Sequence, residues 1–262
     1  MSWNTLRVER NDAGTIAQVR LDRPDKRNAQ SLELWDELRR VGVALQDDPA
    51  LRVVVVSGAG HSFSAGIDLG VLLGQATGSS TPLPEVELVQ HAFRWLRESR
   101  FATIAMVQGY ALGAGCQLAL ACDLRILADD AVMALPEIEF GIFPDLGGCA
   151  WLPELVGSAK AKELIFTADR FDAAEALRLG LANRVVPRHQ LEAVTTELAE
   201  RIAAKAPLGI AAAKRAIAAA EISADEALRV SATEVRKLLV SADFKEAGRA
   251  ALEKRPPKYQ GR

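Results

Sequence analysis

Cysteine is scarce in this sequence: Cys116, Cys122 and Cys149 are the only three among 262 residues. An odd, low count without a regular spacing gives no disulfide framework and fits a reducing compartment. None stands at zinc-ligand spacing from a histidine or a second cysteine, so no metal site is expected. Charge of one sign is also lacking, with 32 Lys and Arg against 34 Asp and Glu and a net charge of −2. Nucleic acid or an anionic membrane surface would need a basic excess or patch, so neither is an expected partner. No apolar run approaches the ~20 residues that cross a bilayer. The N-terminal MSWNTLRVERND lacks the apolar core of a signal peptide. These absences together lead to the expectation of a cytoplasmic protein.

What is present is an ordinary soluble composition, 49% hydrophobic and 25% charged. The length suits one large domain, or one with a smaller appendage. LRVER (6–10) and TIAQVRL (15–21), separated by NDAG, read as a hairpin. In 31–48, Leu32, Trp35, Leu38, Val41 and Leu45 form a helical stripe with Ser31 as candidate cap. LRVVVVSGAG (51–60), FATIAMVQG (101–109) and DLRILAD (123–129) are apolar runs that suit strands buried on both faces of a parallel sheet. AVMALPE (131–137) reads as short and extended, GQATGSSTPLP (74–84) as a mobile loop, and 85–99 as a helix. From about residue 158 helical segments dominate, ending with 191–204, 207–221 and 223–240. The pattern predicts an α/β (α+β) fold with a helical C-terminal part, divided here into 1–200 and 201–262.

Two segments share one design: VVVVSGAGHSFSAGIDL (53–69) and IAMVQGYALGAGCQLAL (104–120) each run from a buried strand through small residues into a helix. Small residues let backbone N–H groups approach a ligand, and a helix N-terminus adds free donors. Two such loops side by side can aim two N–H groups at one oxygen. The same residues also suit close strand–helix packing, and spacing alone favours that reading, because lone glycine-rich loops are weak signals.

LDRPDKRNA (21–29), FSAGIDL (63–69), VQGYALGAGCQLALACDLRI (107–126), ALPEIEFGIFPDLGG (134–148) and FDAAEALRLGLANRVV (171–186) occur in this order. As an ordered set they resemble the enoyl-CoA hydratase/isomerase, or crotonase, superfamily over essentially the whole chain. The resemblance implies a spiral of ββα units, a C-terminal helical region that builds a homotrimer or a dimer of trimers, and an acyl-CoA thioester substrate. It implies no separate cofactor, coenzyme A being part of the substrate. It places an oxyanion hole on the N–H groups of Ala65 and Ala114, with Ser64, Gly66, Ile67 and Asp68 lining the CoA side. Asp68 also reads as a cap for the helix that follows.

Hydratases of the family carry two glutamates, one in the GAGCQ segment and one twenty positions later. Here the second is Glu137 and the first is Gln117. An amide exchanges no proton near neutral pH, but it can hold a water or substrate by hydrogen bonding. Asp145, eight residues after Glu137, matches an acid/base position of the family's dienoyl isomerases, and PDLGG is equally a good turn. The leading expectation is therefore an enoyl- or dienoyl-CoA isomerase with Glu137 and Asp145 as catalytic residues and Gln117 at the substrate. The alternatives are a hydratase with Glu137 as sole acid/base, and a catalytically weak acyl-CoA-binding protein. Cys116 reads as a small buried residue rather than a nucleophile.

Overall fold

The computed structural model describes residues 3–77 and 85–262. β1 (Leu6–Arg10) and β2 (Ile16–Leu21) form the expected antiparallel hairpin. α1 (Leu32–Gln46) follows, its first turn closed by Ser31, whose hydroxyl accepts from Leu34 N–H. β3 (Val53–Gly58) is buried at every position, as its apolar run predicts. α2 (Leu69–Thr77) and α3 (Val86–Glu98) come next. The stretch expected as a mobile loop at 74–84 thus begins inside α2, and its residues 78–84 lie outside the described residues.

The chain then repeats one unit. β4 (Ala102–Val107) and β5 (Tyr110–Leu112) lead into α4 (Ala114–Ala121), and β6 (Leu124–Ala128) leads into β7 (Val132–Ala134). A 3-10 turn at Pro136–Phe140 follows, then α5 (Gly148–Val156) and α6 (Ser158–Thr167). β8 (Phe171–Asp172), α7 (Ala173–Arg178), β9 (Arg184–Val186) and α8 (Leu191–Ala203) complete the core. α9 (Pro207–Ala220), α10 (Ala224–Leu239) and α11 (Ala242–Leu252) form the C-terminal helical part. The sequence reading anticipated neither α5, which opens on two glycines and contains Pro153, nor α11.

The large sheet has the order β1-β2-β3-β4-β6-β9, parallel from β2 onward. Each chain turn also adds a rung to a second, smaller layer. β5 pairs with β7 and β7 with β8, and isolated bridges Ser64–Ala111 and Gln30–Ile67 continue that layer on the other side. This is a spiral of strand–strand–helix units, in agreement with the expected architecture.

Alternation places Val54, Val56, Ala105 and Val107 on one face of the large sheet, in a core shared with α1, α3 and α4. Val53, Val55, Ile104 and Met106 face the other way, against Leu191 and Ala199 of α8. α8 therefore belongs to the sheet's packing, and the boundary expected at residue 200 falls inside it. Arg125 of β6 is buried and donates to main-chain carbonyls only, Leu181 O at 2.6 Å and Cys122 O at 2.7 Å among them. It ties the C-terminal end of α4 to the next turn of the spiral, where a cation also meets the helix dipole favourably.

Candidate active site

A cavity of about 700 Å³ opens where the segment 65–70 meets Leu112, Gly113 and Ala114, under the 3-10 turn that carries Glu137. Its shape follows from how the segment 63–68 is threaded. On one side, Phe63 N–H donates to Gln108 O at 2.8 Å and Ser64 N–H to Tyr110 O at 2.9 Å. On the other side, Ala65 N–H donates to Arg27 O and Asp68 N–H to Gln30 O, both at 2.9 Å. In an extended chain, N–H directions alternate, so residues 65 and 68 should point to opposite sides. They point to the same side, with Gly66 between them at φ +94°, outside the extended region. A side chain at Gly66 would sit 2.7 Å from Leu112 O, so glycine serves both the turn and the close approach.

The consequence is a correction to the expected donor pair. Ala65 lines the cavity, but its N–H is engaged by Arg27. Ile67 lines the cavity with Leu112 and Ala114, and no hydrogen bond among the described residues uses its N–H. Ala114 N–H is the first of α4, where the i−4 ladder has not begun, and it is likewise free. Ile67 and Ala114 are thus two cavity-lining residues at the junction of the loops whose N–H groups have no partner among the described residues. Sequence reasoning named Ile67 as pocket lining only. The signal that marks it is the glycine one position earlier.

Glu137 follows Pro136 at the start of the 3-10 turn and is buried at 6% exposure. Its Oε1 lies against Gly113, where an added Cβ would come within 3.3 Å, and it accepts from Gln117 Nε2 at 2.7 Å. Its Oε2 is buried with no partner among the described residues. Burial pushes the carboxyl above the usual glutamate range. Its own backbone N–H and Gln117 pull the other way, and the charge of Asp145 adds to the rise.

Gln117 was expected beside the substrate, and the structure puts it one layer behind. It is 1% exposed, and its Oε1 accepts from Gly148 N–H at 2.9 Å. Both ends of the amide are thus taken by protein groups, and it does not line the cavity. Asp145 also departs from expectation. It lies half-buried on a separate, smaller cavity of about 280 Å³ with Gln90, Phe143 and Trp151. The PDLGG turn carries it past the mouth, and burial raises its carboxyl as well. The two carboxylates therefore do not share the cavity, though they are close enough for their charges to interact.

Ser64 is a support residue rather than pocket lining, because it is fully buried and its hydroxyl donates to Asn28 O at 2.9 Å. Asn28 in turn donates to Ala59 O and Ser62 O, which fixes the loop before the cavity. Gly66 and Asp68 do line the cavity. Asp68 also caps α2 through Gly70 N–H at 2.9 Å and pairs with Arg23 at 2.9 Å. Burial lifts its carboxyl, but Gly70 and Arg23 outweigh this and hold it below the usual range. At the mouth stand Lys26, Glu139, Phe140 and Arg170, none of which the sequence reading had assigned there. Cys116 is buried and its thiol pushed up by that burial, which leaves it neutral. Among the described residues, no cluster of His, Cys, Asp and Glu could hold a metal ion, and no helix is long and apolar enough to cross a membrane.

Comparison with known proteins agrees with this fold. The family model described as enoyl-CoA hydratase/isomerase matches residues 11–262. A carnitinyl-CoA dehydratase of Proteus mirabilis is 39% identical over 95% of this chain and 96% of its own length. The crystal structure of an enoyl-CoA hydratase from Bacillus anthracis superposes with a TM-score of 0.91, at 33% identity, covering 99% of this chain and 100% of the other. A Thermobifida fusca protein described as an enoyl-CoA hydratase was solved with acetoacetyl-CoA. It gives a TM-score of 0.80 at 36% identity, covering 90% of this chain and 94% of its own. The chain belongs to the enoyl-CoA hydratase/isomerase family of acyl-CoA enzymes.

Proposed function

We propose that the protein catalyses the reversible hydration of a 2-enoyl-CoA thioester, with Glu137 as the sole acid/base. The observation that carries this is one buried carboxyl, with one oxygen unpartnered, beside the free N–H groups of Ile67 and Ala114. The thioester oxygen accepts from both donors. Ionised Glu137 takes a proton from water as the water oxygen bonds to Cβ. The Cα=Cβ electron pair moves onto the thioester oxygen, and the enolate is stabilised there. Each such donor is worth about 10²–10³ in rate. Glu137 then returns that proton to Cα as the thioester carbonyl re-forms. Dehydration runs the same steps backward. The names of the relatives support this direction of reading, since a dehydratase and a hydratase are among them.

A second reading keeps the same atoms. Glu137 takes a proton from Cα of a 3-enoyl-CoA and returns it to Cγ, shifting the double bond. It is favoured by Gln117, which sets a neutral amide rather than a second carboxylate against Glu137. Under either reading the coenzyme enters as part of the substrate, and the cations Lys26 and Arg170 stand at the mouth where its phosphates would pass. Purified protein offered crotonyl-CoA, a 3-enoyl-CoA and a 3,5-dienoyl-CoA separates the possibilities. Hydration of crotonyl-CoA without a double-bond shift is the expected result. A double-bond shift without hydration would replace the first reading by the second. Tight binding with no turnover would leave only an acyl-CoA-binding role.

A further inference from the structure

We infer that Gln117 is a positioning residue that confines the exchangeable proton of Glu137 to Oε2. The inference deepens the proposed role of Glu137 and rests on that reading for its catalytic meaning. Gly148 N–H is a main-chain group and can only donate, so the atom of Gln117 facing it at 2.9 Å is the carbonyl oxygen. The orientation of the amide is therefore set by the backbone, without the usual ambiguity between its oxygen and nitrogen.

With the carbonyl held by Gly148, the amide nitrogen faces Glu137 Oε1 at 2.7 Å. An amide NH₂ donates and does not accept, so Oε1 must accept in both protonation states of Glu137. A proton bound by the carboxyl then resides on Oε2, the oxygen with no other partner. The contact with Gly148 is built to be close. A side chain added there would lie 2.6 Å from Pro144 Cβ and 3.1 Å from Gln117 Oε1. Gly148 opens α5, so the amide's place is fixed by the start of a helix 31 residues further along the chain.

A glutamate at position 117 would impose no such order, because two facing carboxylates must share a proton. The neutral amide makes Glu137 a base with a single working oxygen. Both proton transfers of the proposed reaction then use Oε2. The charged and titratable groups around Glu137 are Asp145, which repels it, and the thiols of Cys116 and Cys149. Lys26, Asp68, Glu139 and Arg170 share its cavity.

The test follows the Glu137 carboxyl by carbon-13 NMR in protein labelled at glutamate Cδ, with the resonance assigned by its loss in Glu137→Gln. In Gln117→Met the titration midpoint should rise by about one pH unit, a tenfold change, as the donor to the anion is lost. The acid limb of kcat/KM should move with it while KM stays within about twofold, since the substrate's contacts are untouched. In Gln117→Glu the same carboxyl should titrate in two coupled steps. An unshifted midpoint and pH profile in folded Gln117→Met would overturn the inference. Should that variant melt early by circular dichroism, Gln117→Glu carries the test, and a single unshifted step there would overturn it. Absence of turnover in the unaltered protein would sink the proposed reaction and leave the NMR readout intact, so the two failures are distinguishable.

Discussion

Glu137 shows how much of this site depends on one carboxyl group held in an unfavourable place. A buried carboxylate oxygen without a partner costs about 1–3 kcal/mol or more. The carboxyl therefore keeps its proton to higher pH in the folded protein than in the unfolded chain. The sign follows: its contribution to stability is complete below the ordinary glutamate value, about 4.3, and is lost as pH rises through the folded value. A base must be ionised, so hydration should fall on the acid side with a midpoint above the ordinary glutamate range. Asp145→Asn removes a repelling charge and should move that limb to lower pH, read from the profile of kcat/KM. Glu137→Gln replaces the carboxyl by a neutral group of the same shape. It should cost about 10²–10⁴ in turnover. Its melting temperature at pH 8 should not fall below that of the unaltered protein, since the disfavoured charge is gone. A variant that melts lower and still turns over would show that Glu137 is structural.

At the scale of elements, the start of α4 is the part most open to direct test. Ala114 is the first helical residue, where proline is tolerated because its missing N–H has no helical partner. Ala114→Pro should leave the helix in place and remove one proposed donor. The expected loss is about 10²–10³ in kcat/KM, with an unchanged far-ultraviolet circular dichroism spectrum. Much of the element layout was legible beforehand. The β-branched run of β3 announces a strand covered on both faces, and Ser31 marks the start of α1. The place of Glu137 on the cavity was also legible, from its motif. What sequence could not reach depends on contacts made across the spiral. The partner of Gln117 is a main-chain group in α5, an element hidden by its own glycines and proline. Asp145 lies in a turn whose direction is set by packing against Gln90, which donates to its carbonyl at 2.8 Å. The choice of Ile67 over Ala65 depends on a single dihedral angle, and no motif states an angle.

At the scale of the whole molecule, a single chain leaves large apolar side chains in water. Leu228, Leu239, Phe244 and Leu252 are exposed on α10 and α11, and Phe140 and Ile142 are exposed around the cavity mouth. Faces of this kind mark association surfaces. The 28.2 kDa chain is expected to elute in light-scattering chromatography as three or six copies. A monomer at micromolar concentration would remove that expectation and leave Phe140 and Ile142 at the cavity mouth exposed to water. The left-handed turn at Gly66 has a consequence at this scale as well. It shapes main chain rather than a side chain, and the two proposed donors are peptide groups, present whichever side chains stand at 67 and 114. The substrate's common end is then read by the backbone, and its variable end by side chains. Recognition of the thioester and choice of acyl group are separable, so the second can be redesigned by substitution while the first stays where the glycine put it.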